Sequence, residues 1–180
     1  RAAIAAIKGT GDTKPVHAGD IIVVVGRGPM GSGMEETYQL TAALKHLEWG
    51  KEVALVTDAR FSGVSTGACI GHMGPEGLAG GPIGRLREGD TIQIIIDTVN
   101  LVGSVDLIGH DGRRYSAEEG ARVLAERTPL SGMAPDERLP DDTRLWAALQ
   151  NASGGTWAGC VYDVDRIIEL LEAGKRALST

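Results

Sequence analysis

Apolar positions along this chain come in short continuous runs broken by glycine-rich polar loops, interleaved with stretches of helical spacing. Residues 1–8, rich in alanine and isoleucine, predict a short helix, followed by a loop over 9–19. The β-branched run over 21–25 predicts a buried strand, because an unbroken apolar run needs cover on both faces. After a glycine loop the spacing predicts a helix over 34–47, with Glu35 and Glu36 in its first turn, near the positive end of the helix dipole. Tyr38, Ala42 and Leu44 or Leu47 would form its apolar face, and Gly50 would close it. A second buried strand is predicted over 52–57. Beyond a turn at Glu88-Gly89-Asp90, residues 91–97 alternate weakly as a strand, with 101–107 as a hairpin partner through 98–100. Ser116 and Glu119 have the spacing of a capping box and open a helix over 116–127. Pro129, Pro135 and Pro140 mark 128–142 as a linker or wrapping loop. Asp142 is the expected cap of a short helix to Gln150, and Asp163 or Asp165 that of a last helix ending near Arg176. The order is βαβ, then hairpin, then helices. It predicts a mixed α/β fold with a barrel-like or open sheet covered by helices.

Composition narrows the classes of function. A chain of 180 residues allows one domain, or a domain with an appendage. Aromatics are only 4%, so the core must be built of Val, Ile, Leu and Ala. A net charge of -6 argues against a nucleic-acid partner, whose phosphates call for a basic face. Cys69 and Cys160 make neither a disulfide framework nor a metal quartet, so a reducing, cytoplasmic setting is expected. No apolar run approaches membrane-span length, and the pattern of a signal peptide is missing, so no membrane partner is expected. The chain begins at Arg1 already inside a helical pattern and reads as a piece of a longer protein.

The chemistry-bearing stretch is 56–84, which holds Asp58, Arg60, Ser62, Ser65, Thr66, His72 and Glu76 amid many glycines. Upstream, Gly26-x-Gly28-x-x-Gly31 follows a strand and precedes a helix, as a dinucleotide-binding turn does, and Asp58 ends the next strand, where an acid would meet a ribose. Against that reading, Pro29 stiffens the turn, glycines continue to Gly33, and the later chain reads as hairpins rather than further βα units. A stand-alone nucleotide- or anion-binding module using 26–33 is therefore the alternative; the plainer reading is a glycine turn into the helix. Glu35 and Glu36 are either acids at a helix start or the source of one carboxylate for a hard cation such as Mg²⁺. Ser62 is either a turn cap or a hydroxyl aimed into a cleft, and it lies in no Gly-x-Ser-x-Gly elbow. His72 and Glu76 would assist it or be structural. Cys69, in an apolar run, is expected to be buried and inert. Trp157 and Cys160, in a glycine-rich stretch over 153–160, carry no mechanism.

These stretches together resemble the C-terminal domain of the dihydroxy-acid dehydratase and phosphogluconate dehydratase family. The residues that carry the resemblance are Gly28-Pro29, Gly33-Met34-Glu35-Glu36, Thr57-Asp58-Ala59-Arg60-Phe61-Ser62-Gly63, Cys69-Ile70-Gly71-His72, Pro75-Glu76 and Gly80-Gly81-Pro82-Ile83-Gly84. They stand in the family's order within 20–107. The tail, with Leu139-Pro140-Asp141-Asp142-Thr143-Arg144-Leu145-Trp146 and the stretch 153–160, is similar to the family's sugar-acid branch, D-xylonate dehydratases in particular.

The resemblance implies a hydro-lyase that removes water from a 2,3-dihydroxy acid such as D-xylonate, giving a 2-keto-3-deoxy acid. It implies a swivelling β/β/α domain of the aconitase-like kind, with a barrel-like sheet flanked by helices. All 180 residues would form this single C-terminal domain, with a core over about 20–127 and a tail over 128–180. By position, Ser62 matches the family's catalytic base, and Glu36 matches the acid of Gly-Met-x-Glu that ligates Mg²⁺, with Glu35 as the less favoured candidate. Arg60, Gly63 and Ser65 are the substrate-contact candidates; the family's Gly-Gly-Thr-Ser-Gly is here Gly63-Val64-Ser65-Thr66-Gly67. An iron–sulfur cluster of the two-iron or four-iron kind would act as Lewis acid on the leaving hydroxyl. Its cysteines belong to the family's N-terminal domain, and neither Cys69 nor Cys160 matches them. The implied partners are that N-terminal domain, a small sugar acid and further copies in a homo-oligomer; the isolated chain is expected to be inactive.

Overall fold

The computed structural model describes residues 2–179; the expected helix start at Arg1 lies outside them. The first helix, α1 (Ala2–Lys8), leads through a loop to β1 (Ile21–Val24). A single turn, α2 (Pro29–Ser32), and the helix α3 (Tyr38–Lys45) then carry the chain to β2 (Ala54–Thr57) and β3 (Cys69–Ile70). β2 is the centre of a parallel sheet, with Ile21–Val24 in register with Ala54–Thr57 on one side and Cys69–Ile70 beside Leu55 and Val56 on the other. Ile7, Leu40, Leu44, Val53 and Leu55 form the buried core, ringed by Ile4, Ile22, Val24, Trp49 and Phe61. Aliphatic side chains from α1, α3 and the sheet thus supply most of the burial that drives this half to fold.

The helix expected over 34–47 is a correction: α3 is only Tyr38–Lys45, and Glu35 and Glu36 lie outside it. Gly33 and Met34 both take left-handed backbone, with φ of 67° and 61°, which breaks any helix there. Thr37 then donates both its amide (2.9 Å) and its hydroxyl (3.1 Å) to the Arg60 carbonyl, holding the chain beside residue 60 until α3 begins. The buried face of α3 is Leu40, Thr41 and Leu44, while Tyr38 faces solvent.

A second sheet is antiparallel: β4 (Asp90–Asp97), β5 (Val102–His110) and the short β6 (Arg113–Arg114). The hairpin pairs Asp97 with Val102 and carries a bulge between Thr91 and Ile92. Next comes α4 (Ala117–Glu126), capped by the reciprocal Ser116–Glu119 hydrogen bonds that the spacing predicts. It lies so close to β5 that a Cβ on Gly120 would run into the Leu107 carbonyl. Arg127, just beyond α4, grips the buried Asp90 carboxylate with both guanidinium arms, at 2.7 and 2.8 Å. The expected barrel-like sheet is instead two open three-stranded sheets, with no closed barrel among the described residues. β3 and β6 are only two residues long, too short to bridge one sheet to the other.

The tail wraps back across both halves. The Leu130 amide donates to the Gly84 carbonyl and the Asp136 amide to the Gly31 carbonyl, each at 2.8 Å. The fifth helix, α5 (Asp141–Ala152), lies against α2 and is capped by Pro140, so the expected cap Asp142 falls in its first turn. The last, α6 (Val164–Leu178), is capped by the Asp163 carboxylate, which accepts from the Arg166 amide at 3.1 Å.

Candidate functional site

The site is built where β2 ends. Asp58 is 2% exposed, and three backbone amides reach its carboxylate. Gly26 and Gly77 donate to Oδ2 at 2.9 and 3.0 Å, and Arg27 donates to Oδ1 at 2.9 Å. One side chain thereby locks the loop after β1 and the loop after β3 to the strand between them. Beneath α2 lies the Glu76 carboxylate, accepting the Met30 amide at 3.0 and 3.1 Å. A Cβ at position 28 would stand 2.6 Å from Glu76 Oε2, so this close approach requires glycine. Burial pushes the Glu76 carboxyl above its ordinary value; the Met30 and Gly31 amides oppose the shift and the Asp58 charge adds to it.

This arrangement overturns the nucleotide-binding alternative. Asp58 does not end β2 facing a ribose; its oxygens are taken by the chain's own amides. The amide at the start of α2, where a phosphate would sit, already faces Glu76. The fingerprint-like glycines serve an internal anion clamp instead of a cofactor.

Glu35 and Glu36 part company on leaving the loop. Glu35 Oε1 accepts from Arg27 Nε at 2.9 Å and lies 2.8 Å from its second guanidinium nitrogen. Glu36 turns the other way. Its backbone forms an isolated parallel bridge with Arg60, and its Oε2 accepts from Arg60 Nη1 at 3.2 Å. Arg60 Nε also donates to the Met34 carbonyl at 2.8 Å. The Arg60 amide donates to the Glu35 carbonyl at 3.4 Å within that bridge, but of the two glutamate side chains it is that of Glu36 that reaches the segment leading to Ser62.

Ser62 lies two residues beyond Arg60 and is half-buried. Its Oγ accepts only a long contact from the Val64 amide, at 3.5 Å, among the described residues. Gly63 borders open space, with nothing within 4 Å of where a Cβ would stand. Ser65 Oγ lies 3.2 Å from Thr41 Oγ1, so that hydroxyl is engaged with α3. His72 is exposed with left-handed backbone (φ 55°), and its amide donates to the Ala59 carbonyl at 2.8 Å, continuing the β2–β3 pairing. The structure thus brings Glu36 to Arg60, and ties the Glu76 carboxylate and the His72 backbone amide into the fold.

Two contacts were not legible in the sequence. The Glu76 amide donates to Thr156 Oγ1 at 2.8 Å, and the Trp157 indole N–H donates to the Ala79 carbonyl at 2.8 Å. They pin the glycine-rich tail under the loop 76–81, which gives Trp157 a bracing role. Nothing in hydrophobic spacing announces a contact 80 residues long in sequence.

The donor sets decide what the chain can hold. Glu36 is a hard oxygen ligand, part exposed and paired with an exposed arginine, and Mg²⁺ is commonly held by one or two carboxylates with water and substrate. It fits as one ligand of such an ion. The chain does not fit an iron–sulfur cluster. No group of three or more His, Cys, Asp or Glu gathers among the described residues. Cys69 is half-buried and donates its S–H to the Thr66 carbonyl at 3.5 Å, and Cys160 is exposed.

The chain belongs to the dihydroxy-acid/6-phosphogluconate dehydratase C-terminal family, which matches it over residues 1–134. It is 60% identical over 176 residues, 98% of its length, to the D-xylonate dehydratase YagF of Escherichia coli, of which it covers 26%. Identity to the D-xylonate dehydratase YjhG of the same organism is 61% over 84% of this chain and 24% of that protein. Identity to dihydroxy-acid dehydratase 1 of Nocardia farcinica is 40% over 66% of this chain and 22% of that one. The chain spans about a quarter of the length of the curated relatives it matches. No helix among the described residues is long and apolar enough to cross a membrane.

Proposed function

We propose that this chain is the base-bearing part of a cytoplasmic sugar-acid hydro-lyase that turns D-xylonate, or a close relative, into its 2-keto-3-deoxy acid. The observation that carries this reading is the Glu36–Arg60 bridge, which sets a hard oxygen ligand beside the segment that presents Ser62. The high identity to two D-xylonate dehydratases over most of the chain supports the choice of substrate.

In this reading the Ser62 oxygen, as alkoxide, takes the proton from C2 of the substrate. The C2–H electrons form the C2=C3 bond as the C3–O bond breaks. Hydroxide leaves, recovers the proton from Ser62 and departs as water, and the enol tautomerises to the keto acid. Glu36 would hold Mg²⁺, which would supply positive charge beside the substrate carboxylate. In this reading Arg60, the open backbone at Gly63 and the Ser65 hydroxyl, turned from Thr41, bind the substrate. The iron–sulfur cluster and the remaining metal ligands are assigned to an N-terminal domain against which this domain swivels. The active form is a homo-oligomer, and residues 1–180 alone have no activity.

The test is turnover by the full-length protein. With Mg²⁺ and D-xylonate it should form a 2-keto-3-deoxy acid, and it should act more slowly on a branched 2,3-dihydroxy acid. A thermal shift with NAD or ATP and none with sugar acids would overturn the reading.

A further inference from the structure

Arg27 and Asp136 form a charge pair that no step of the reaction above uses. Arg27 follows β1 and Ser62 follows β2, two strands that run side by side in register, so both residues stand beyond the carboxyl ends of the parallel sheet. That end is where open parallel sheets take their ligands. Glu35 ties the two loops together, because its carbonyl accepts from the Arg60 amide at 3.4 Å while its side chain holds Arg27.

Each member of the pair is fixed by other partners. The Arg27 amide donates to Asp58 at 2.9 Å, and Glu35 takes the Nε and Nη2 side of its guanidinium, at 2.9 and 2.8 Å. The Asp136 amide donates to the Gly31 carbonyl at 2.8 Å, and its Oδ1 accepts from the Arg138 amide at 3.0 Å. What is left of each faces the other: Arg27 Nη1 and Asp136 Oδ2 stand 3.8 Å apart, and neither is hydrogen-bonded among the described residues. An ion pair free to close would do so to about 2.7–2.9 Å. A separation of 3.8 Å is too long for a direct hydrogen bond and spans one oxygen atom bonded to both sides. A guanidinium only donates and a carboxylate only accepts, so that oxygen must accept and donate at once, as an alcohol does. The side chains are 36% and 29% exposed, so a small molecule can reach both. Asp136 also lies just past residues 1–134, the stretch matched to the dehydratase family, so the accepting half of the pair comes from the tail.

We propose that Arg27 and Asp136 are specificity-determining residues: together they hold a hydroxyl of the sugar acid beyond C3, which accepts from Arg27 Nη1 and donates to Asp136 Oδ2. A 2,3-dihydroxy acid with an alkyl end has no such hydroxyl and strands both groups, which is how a site built to bond a hydroxyl rejects an analogue without one. The inference rests on the sugar-acid reading above and adds to it the residues that tell a sugar acid from an alkyl one.

The test compares full-length proteins on D-xylonate and on 2,3-dihydroxypentanoate, the same carbon chain without the hydroxyls at C4 and C5. Asp136→Ala should lower kcat/KM for D-xylonate by about 10–100-fold, the worth of a hydrogen bond to a charged group. Its kcat/KM for 2,3-dihydroxypentanoate, or the inhibition constant where that acid only competes, should stay within about twofold of the parent's. Arg27→Gln should shift the preference the same way, and the double variant should be little worse than either single one, because both lose the same hydroxyl. Asp136→Asn keeps an acceptor oxygen and should recover part of the preference. Equal losses on the two acids overturn the proposal, since they mark a structural role. An unchanged preference overturns it too, since that marks a solvated ion pair. Both of those results leave the sugar-acid reading standing, whereas a parent protein that turns over no sugar acid overturns that reading and this proposal with it.

Discussion

Glu36 and Arg60 meet twice, once through a parallel backbone bridge and once through a 3.2 Å contact between Oε2 and Nη1. Both side chains are substantially exposed, at 39% and 51%, so their pairing adds little stability, about 0–1 kcal/mol at most. Glu36→Gln should therefore leave the melting temperature of the full-length protein nearly unchanged. It should raise the Mg²⁺ concentration for half-maximal turnover by about tenfold or more, since loss of even an outer partner of a ligand costs that much. An unchanged Mg²⁺ dependence would move the role to Glu35 or out of this chain.

Asp58 is the structural hinge-pin of the site loops. Asp58→Ala strands the amides of Gly26, Arg27 and Gly77. Each unsatisfied buried donor costs about 1–3 kcal/mol, so the loss should be about 3 kcal/mol or more. Asp58→Asn, which keeps one acceptor oxygen, should lose less. Denaturant unfolding of both variants measures the difference.

Two buried carboxyls set opposite pH limbs. Burial raises Asp90, but the Arg127 hydrogen bonds and the Arg87 amide outweigh it, and its folded value lies below the ordinary one. Its contribution is present above the unfolded value of about 3.9 and is lost as pH falls through the lower folded value. Glu76 is shifted up by burial, so its contribution is full below about pH 4.3 and is lost as pH rises through the folded value. Unfolding midpoints across pH should show Asp90→Asn flattening the acid limb and Glu76→Gln flattening the decline above pH 4.3.

Much of the frame was legible because local rules governed it. The runs at 21–25 and 52–57 form a parallel pair, the hairpin closes near 98–100, and Ser116 and Asp163 cap the helices they open. The start of α3 was not legible. Glu35 and Glu36 look like helix-start acids, but the left-handed Met34 and the Thr37–Arg60 hydrogen bonds override that local preference. The glycine loop misled for a related reason. Its pattern asks for an anion, and the anions that answer are Glu76 and Asp58, 46 and 32 residues away. β3 escaped notice because a two-residue strand has no periodicity to show.

Gln150 is wholly buried on α5, and neither its Oε1 nor its Nε2 has a partner among the described residues. Gln150→Met keeps the length of the side chain and removes both polar atoms. It should stabilise the fold by about 1 kcal/mol, seen as a higher denaturant midpoint with an unchanged slope. A loss of stability would show that the amide is bonded in solution.

The central claim is that Ser62 is the base. The direct measurement is single-turnover dehydration of D-xylonate by full-length Ser62→Ala, with cluster absorbance and Mg²⁺ binding followed in the same sample. Turnover should fall by about 10²–10⁴-fold, the usual worth of a positioned base, while both cofactor signals stay at the parent's level. Turnover near the parent's, with those signals intact, would contradict it.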